Sequence, residues 1–262
     1  MHEDTGVLDP SLGGRLAVVT GAAGGIGSAI VRALMARGAV VHGLDRDSAG
    51  LRRLAAAVQG HGRFVPREVD LTNRNATDRA LIELSVDLAG RCDILVNNAG
   101  VSQVRSFADT NDELLDFLFA VNFAGAFRVT RALLPALKVS GRAAVVNIAS
   151  ELALIGQQGY AAYSGTKGAV LAWSRALAVE LAGEGIRVNA VCPGPVDTAM
   201  LAAEFALSDA PAEARRAEVA TVPLGRVGNP ADIATVVAFL ASDAASFVTG
   251  AAWSVDGGKT SR

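Results

Sequence analysis

The chain has 262 residues, 51% of them apolar, which is enough to bury the core of one large domain. Its formal net charge at pH 7 is −2, so there is no electrostatic case for nucleic acid or an anionic membrane as a partner. The two cysteines form no Cys-x-x-Cys pair and no cluster with histidine, so no metal site is expected.

The first dozen residues are acidic and polar, without the basic-then-apolar order of a signal peptide. No uninterrupted apolar run reaches the ~18 residues that a membrane span requires. We therefore predict a flexible tail over residues 1–12 and a cytoplasmic location, where the thiols stay reduced.

Short β-branched runs alternate with longer helical patterns along the whole chain. The predicted strands cover residues 16–20, 40–45, 64–69, 94–96, 143–148, 186–191 and 252–255. The predicted helices cover residues 26–37, 47–58, 74–88, two segments within 111–138, 161–182 and 231–241. Residues 199–222 show no strand pattern, and their length predicts a loop that acts as a lid over the substrate.

Several predicted strands are continuous apolar runs, which indicates that both faces of the sheet are covered. Strands that alternate with helices predict a parallel sheet with helices on both sides. The expected fold is therefore α/β, a doubly wound (Rossmann) domain. With no repeat, low-complexity tract or linker, we predict a single catalytic domain over residues 13–262.

A glycine-rich turn follows the first predicted strand, with Gly21, Gly25 and Gly27 around Ile26. Such a turn lets the backbone approach a pyrophosphate, and the following helix offers free N–H groups and the positive end of its dipole. The spacing differs from the commoner Gly-x-Gly-x-x-Gly, and a tight turn that binds nothing is the alternative. The strand before it and the helix after it favour dinucleotide binding.

Asp45 ends the second predicted strand, where a carboxylate can accept hydrogen bonds from the adenosine ribose hydroxyls. At ~5 Å and an effective dielectric of ~20, it would repel each charge of a 2′-phosphate by about 3 kcal/mol before screening. NAD is therefore expected rather than NADP. Two alternatives stay open: Asp45 could cap the next helix, and Arg46 could neutralise a phosphate.

Tyr163 and Lys167 share one face of a predicted helix, and Ser150 follows the fifth predicted strand. An ammonium ~5 Å from the phenol would stabilise the phenolate by about 3 kcal/mol, or roughly two pKa units. With the positive charge of an oxidised nicotinamide added nearby, Tyr163 would then titrate close to neutral pH, as a general acid–base requires. Ser150 would hold the substrate oxygen. A Tyr-x-x-x-Lys pair alone is common on helix surfaces. It indicates a catalytic role only together with Ser150, the glycine-rich turn and Asp45.

These motifs, in this order, resemble the short-chain dehydrogenase/reductase family from about Gly13 to Gly258. The resemblance implies a sheet of about seven parallel strands and an assembly that is commonly a homotetramer. It also implies that the helices around 111–138 and 161–182 form one interface.

The resemblance further implies a role for individual residues. Asn122 joins Ser150, Tyr163 and Lys167 as the fourth catalytic residue, and holds a water that links the lysine to solvent. Further residues would bind or border the cofactor: Asp70, Asn98, Gly100, Pro193, Val196 and Thr198, together with Tyr163 and Lys167.

The predicted reaction is reversible hydride transfer between a secondary alcohol and its ketone. We expect the lid loop and six other residues to line the substrate pocket: Ser102, Gln103, Glu151, Leu152, Gln157 and Tyr160. Glu151 and the glutamines suggest a polyol or sugar. One alternative is an NADPH-dependent 3-oxoacyl-thioester reductase acting on acyl carrier protein. Another is a nucleotide-sensing protein without catalysis, which would be expected to lack Tyr163 or Lys167.

Overall fold

The computed structural model describes residues 11–261. Within them, seven strands form one sheet: β1 (Leu16–Thr20), β2 (Val40–Asp45), β3 (Phe64–Glu68), β4 (Ile94–Asn97), β5 (Ala144–Ile148), β6 (Arg187–Pro193) and β7 (Ala252–Val255). The α-helices of these residues are α1 (Gly25–Met35), α2 (Ser48–Ala57), α3 (Arg74–Asp87), α4 (Asp112–Phe119), α5 (Gly125–Ser140), α6 (Ala161–Leu181), α7 (Ala199–Phe205), α8 (Pro211–Ala220) and α9 (Pro230–Ala241).

All neighbouring strands are parallel, in the order β3-β2-β1-β4-β5-β6-β7. The order reverses between β1 and β4, so a crevice opens there at the carboxyl ends of the strands. The predicted α/β fold, with about seven parallel strands and helices on both faces, is confirmed.

Two apolar layers cover the sheet. Helices α1, α2 and α9 contribute Ile30, Leu54 and Val237 to the core on one face. Helices α3 and α5 contribute Leu84 and Leu133 to the core on the other face. The apolar strands are thus buried on both sides, as continuous hydrophobic runs require.

Residues 199–222 do not form the predicted loop. They contain two helices. Thr198 is the N-cap of α7, and its hydroxyl oxygen accepts the N–H of Leu201. The second helix, α8, begins at Pro211. Proline is favoured at the first position of a helix because its missing N–H would have no partner there. Both helices pack mainly against each other, so the apolar stripe that marks a core helix is absent from their sequence.

The predicted tail falls mostly on residues 1–10, which lie outside the described residues. Its last residue, Leu12, is described and is fully buried, with its N–H donating to Arg37 O at 2.8 Å. The ordered part of the domain therefore begins before residue 13.

A π-helical segment, Ala120–Ala124, joins α4 to α5 in one continuous helical stretch. By length and composition, residues 112–140 could cross a membrane. In the fold, however, α4 packs on α6, and α5 packs on α3 and β4. We interpret this stretch as a core helix of the domain.

A buried polar network ties β4 and β5 to the helices. Asn97 Nδ2 donates to Thr130 Oγ1 at 2.9 Å and to Asn147 Oδ1 at 2.8 Å. Asn147 Nδ2 donates in turn to Ser174 Oγ at 2.8 Å, and Ser174 Oγ donates to Val170 O at 2.7 Å. Since these groups are shielded from water, each depends on its partners in the network.

We expect Asn147→Ala to lower the free energy of unfolding by about 2–4 kcal/mol, because it creates a cavity and leaves buried polar groups unpaired. Urea unfolding of the purified variant measures this loss. Asn75→Ala is the matched control, because Asn75 is exposed in the first turn of α3. Equal stability of the two variants would contradict the prediction.

Candidate active site

A cleft of about 800 Å³ opens at the carboxyl ends of β1, β4, β5 and β6. Nearly every residue predicted for the site lines it: Gly21, Gly25, Ile26, Gly27, Asp45, Asp70, Asn98, Gly100, Ser150, Tyr163, Lys167, Pro193, Val196 and Thr198. Within residues 11–261, no group of three or more His, Cys, Asp or Glu side chains is placed to hold a metal ion.

The glycine turn has no room for side chains. A Cβ on Gly27 would lie 1.9 Å from Gly21 O, and a Cβ on Gly25 would lie 2.8 Å from Thr198 Cγ2. Gly24 precedes α1 and cannot cap it with a side chain. The first N–H groups of α1 therefore remain available to a ligand in the cleft, and the turn fits the pyrophosphate of a dinucleotide.

Asn98 fastens this turn to the end of β4. Its Nδ2 donates to Thr20 O and Gly21 O, both at 3.0 Å. In return, Thr20 Oγ1 accepts the N–H groups of Asn98 and Ala99, also at 3.0 Å. Asn98 is thus a brace within the protein, in keeping with the role that the family resemblance implies.

Asp45 faces the glycine turn and does not cap α2. Its Oδ2 accepts the N–H of Ala23 at 2.9 Å, and its Oδ1 accepts the N–H of Asp47 at 2.9 Å. Asp47 supplies the cap, accepting the N–H of Gly50. The helix-cap interpretation of Asp45 is therefore excluded.

Asp70 lies across the cleft from this turn, just after β3. The N–H and hydroxyl of Thr72 both donate to Asp70 Oδ1, at 2.9 and 2.8 Å. These hydrogen bonds hold the pKa of the Asp70 carboxyl below its usual value, so the group is ionised at neutral pH.

Asn122 lies behind the cleft in the π-helical segment. Its Oδ1 accepts the N–H of Val101 at 2.8 Å, and its Nδ2 donates to Val101 O and Thr166 Oγ1, both at 3.0 Å. The wider turn of a π-segment is common at functional sites. It connects the Asn122 side chain both to the end of β4 and to the helix that carries Tyr163 and Lys167.

Lys167 is buried on α6, and Tyr163 lies beside it, half-buried. Lys167 Nζ donates to Ile148 O at 2.9 Å and lies 5.8 Å from the centroid of the Tyr163 ring. Burial lowers the pKa of the Lys167 ammonium to about 8. The amine is thus poised to exchange its proton close to neutral pH.

The pKa of Tyr163 differs from the sequence-based expectation. Burial raises the pKa of the phenol above its ordinary value, the neighbouring Ser150 hydroxyl opposes the rise, and the Glu204 and Glu151 carboxylates add to it. Two positive charges, Lys167 and an oxidised nicotinamide, were expected to bring this pKa towards neutrality, but the cost of desolvation was left out. Desolvation is the largest effect on the phenol, and its ionisation beside a bound nicotinamide stays a prediction.

The substrate side of the cleft contains charged residues that were not named individually from the sequence, and two of them lie within the 199–222 segment. Tyr160 Oη donates to Glu204 Oε2 at 2.9 Å, and Glu204 and Glu218 line the cleft from α7 and α8. Lys259 contacts Glu218 from the C-terminal segment. A helical interpretation of residues 199–222 would have revealed the two carboxylates, but no local pattern marks Lys259.

Of the six residues predicted for the substrate pocket in addition to the 199–222 segment, five line the cleft: Ser102, Glu151, Leu152, Gln157 and Tyr160. The segment itself also contributes to the lining, with Glu204 and Glu218 among its residues. Gln103 does not belong to the cleft lining and is exposed.

Known proteins agree with this arrangement. The profile of the family described as "Enoyl-(Acyl carrier protein) reductase" matches residues 21–260. The 3-oxoacyl-(acyl-carrier-protein) reductase of Thermotoga maritima is 36% identical over 251 residues, which cover 94% of this chain and 98% of the relative. The chain belongs to the short-chain dehydrogenase/reductase family. It is therefore an oxidoreductase.

Other short-chain dehydrogenases/reductases have different substrates in their names. The 2-(S)-hydroxypropyl-CoM dehydrogenase 3 of Xanthobacter autotrophicus is 38% identical over 243 residues, or 92% of this chain and 95% of the relative. A crystal structure assigned to an NAD(P)-dependent gluconate 5-dehydrogenase of Beutenbergia cavernae, with NADP bound at low occupancy, has a TM-score of 0.90 and 37% identity. The match covers 97% of this chain and 99% of that one.

We expect Tyr163→Phe to bind the cofactor normally but to keep less than a tenth of the native kcat. The reason is that no other phenol lies beside Ser150 to take the hydroxyl proton of the substrate. Steady-state kinetics and cofactor titration measure the two effects. Tyr160→Phe is the matched comparison, since it removes the cleft's other tyrosine hydroxyl, and it should change mainly KM. More than a tenth of native turnover in Tyr163→Phe would exclude Tyr163 as the acid–base.

Burial of Lys167 should cost stability at neutral pH. Its pKa of about 8 in the folded protein lies below the ordinary 10.5, so the folded state binds fewer protons between these values. Stability therefore rises with pH across this window, and the full penalty of about 3 kcal/mol is present below pH 8.

We expect Lys167→Met to be more stable than the native protein at pH 7 by about 2 kcal/mol, once the lost hydrogen bond to Ile148 is set against that penalty. By about pH 10.5 the penalty is nearly gone, so the variant should no longer be the more stable protein. Urea unfolding at both pH values tests this, with exposed Lys138→Met as the control that should show no such trend. A stability difference independent of pH would refute the argument.

Proposed function

We propose that this protein is an NAD(H)-dependent oxidoreductase that interconverts a secondary alcohol of the polyol or sugar type and its ketone. The observation that carries the proposal is the single cleft that joins the glycine turn and Asp45 to Ser150, Tyr163 and Lys167. The buried polar side chains on its substrate side favour a hydroxylated substrate.

A bound nicotinamide would supply or accept the hydride at the carbinol carbon. On the protein's side, Ser150 orients the substrate oxygen, and Tyr163 takes the hydroxyl proton in the oxidative direction. Lys167 would hold the nicotinamide ribose and, with Asn122, start the route by which that proton reaches solvent. Since burial raises the pKa of Tyr163, positive charge close to the phenol is needed to ionise it at neutral pH.

The choice of NAD rests on Asp45. Its carboxylate is fixed beside the glycine turn by two backbone N–H groups, where it can accept hydrogen bonds from ribose hydroxyls and repel a 2′-phosphate. Arg46 and Arg53 also line the cleft, but Arg53 is paired with Asp47 at 3.3 Å. The NADP in the Beutenbergia cavernae structure keeps NADP as the alternative cofactor.

A second candidate is an NADPH-dependent 3-oxoacyl-thioester reductase acting on acyl carrier protein. The names of the Thermotoga maritima relative and of the matching family profile favour it. The catalytic residues would be the same, so the cofactor ratio and the substrate separate the two proposals. A nucleotide sensor without catalysis is disfavoured, because Tyr163 and Lys167 are both in place.

We also propose that the protein is a cytoplasmic homotetramer. Support comes from an aromatic group formed by Phe123 of the π-helical segment, Phe127 of α5 and Trp173 of α6. Val179 on α6 is 84% exposed, and Phe127 is 40% exposed. Apolar side chains grouped in this way favour burial against another subunit.

We expect the native enzyme to prefer NAD, and Asp45→Asn to shift the ratio of kcat/KM for NAD over NADP towards NADP by at least about tenfold, because a 2′-phosphate no longer meets a like charge. Steady-state kinetics with both cofactors measure the ratio. Asp78→Asn, an exposed carboxylate outside the cleft lining, is the control and should leave it unchanged. A native preference for NADP would favour the second candidate.

A further inference from the structure

A buried charged cluster borders the substrate side of the cleft. Lys259 Nζ donates to Glu151 Oε1 and Glu218 Oε1, both at 2.7 Å, and to Gln157 Oε1 at 3.3 Å. Lys259 is 7% exposed and Glu151 is 4% exposed. The cluster joins three parts of the chain: the segment after Ser150, helix α8 and the C-terminal segment.

All three N–H donors of the Lys259 ammonium are occupied in this cluster, because an ammonium has only three. Lys259 therefore has no donor left for a substrate carboxylate or phosphate. Its contacts are directed at the protein, where they fix the orientation of the Glu151 carboxylate.

The second oxygen of Glu151 is buried and has no hydrogen-bond partner, although Glu151 lines the cleft. The hydroxyl of Ser102, which lines the same cleft, is also buried without a hydrogen-bond partner. Buried polar atoms without a partner are costly and rare in folded proteins. A substrate with hydrogen-bonding groups would satisfy them.

The charge of this region is unsuited to an anion. Glu151, Glu204 and Glu218 line the cleft, and Lys259 is the ammonium among them. The carboxylates of Glu151 and Glu204 also raise the pKa of Tyr163, so both act electrostatically at the reacting hydroxyl. A carboxylate on the substrate beside the reacting carbon would meet like charge there.

We propose that Glu151, oriented by Lys259, is a specificity-determining residue that accepts a hydrogen bond from a substrate hydroxyl beside the reacting carbinol and rejects a carboxylate at that place. The inference rests on the proposed function, since it concerns the substrate of the same site. Lys259 is a positioning residue in this arrangement, because it acts through Glu151.

The proposal is tested with three small secondary alcohols whose carbon next to the carbinol carries a hydroxyl, neither polar group, or a carboxylate: butane-2,3-diol, butan-2-ol and 3-hydroxybutyrate. Each is assayed with NAD and with NADP. We expect the native enzyme to have a kcat/KM for the diol at least about tenfold above that for butan-2-ol. A hydrogen bond to a charged group contributes enough free energy for a difference of this size. It should be weakest on 3-hydroxybutyrate.

Glu151→Gln should abolish this order. Its side-chain carbonyl can pair with Lys259, which places the amide N–H₂ where the free oxygen was and replaces an acceptor by a donor. We expect the preference for the diol over butan-2-ol to fall about tenfold, mainly through KM, and activity on 3-hydroxybutyrate to rise. Glu213→Gln, which alters an exposed carboxylate on α8, is the matched control and should keep the native order.

Two further variants guard against misfolding. Glu151→Asp keeps the charge but withdraws the carboxylate, and should lose the preference for the diol. Lys259→Met should also lose it, while Lys259→Arg should restore it in part, which a purely structural role in folding would not require. Circular dichroism checks that each variant is folded.

The outcomes separate the two claims. Equal native rates on the diol and butan-2-ol, or an equal loss on both in Glu151→Gln, would overturn the role of Glu151 while leaving the proposed function intact. No native turnover of any of the three alcohols with either cofactor would overturn the proposed function and this inference together.

Discussion

The site depends on one geometric constraint, the common direction of the strands. In a parallel sheet all carboxyl ends lie at one edge, so residues that follow different strands must meet there. Gly21, Asn98, Ser150 and Gly194 each come directly or almost directly after a strand, and all four line the cleft. The hydrogen bonds between Asn98 and the end of β1 then hold two of these ends in a fixed relation.

The same constraint makes the chemistry of the site a consequence of burial. Lys167 lies between the end of β5 and α6, where its ammonium has the Ile148 carbonyl as a partner and little access to water. Desolvation acts on both members of the catalytic pair, lowering one pKa and raising the other. Burial therefore keeps the Tyr163 phenol neutral, whereas Lys167, with a pKa of about 8, remains mostly an ammonium at pH 7. Positive charge added close to the phenol would shift Tyr163 towards its ionised form.

Sequence reasoning was most successful where local pattern and tertiary role coincide. Every strand of the sheet was predicted, because apolar β-branched runs between turn residues are both good strand formers and good core. Most of the residues predicted to bind a cofactor line the cleft, and they could be named from the sequence because they belong to short motifs at strand ends. Helices α7 and α8 were missed because they pack mainly on each other and have no apolar stripe towards the main core.

Other features could not be read from the sequence because they depend on distance in space. Lys259 lies 108 positions from Glu151 and 41 from Glu218, and only the fold brings the three together. The desolvation of Tyr163 was missed for a related reason: a spacing of four residues shows that two groups share a helix face, but it does not show their depth in the protein.

The Lys259 cluster also bears on how this scaffold could change during evolution. Because Glu151 takes its orientation from a lysine that Glu218 shares, a substitution at one of these positions alters the effect of a substitution at either of the others. Such epistasis makes single-step conversion to an acidic substrate difficult. Libraries that vary the three positions together would reach new specificities that stepwise mutagenesis would miss.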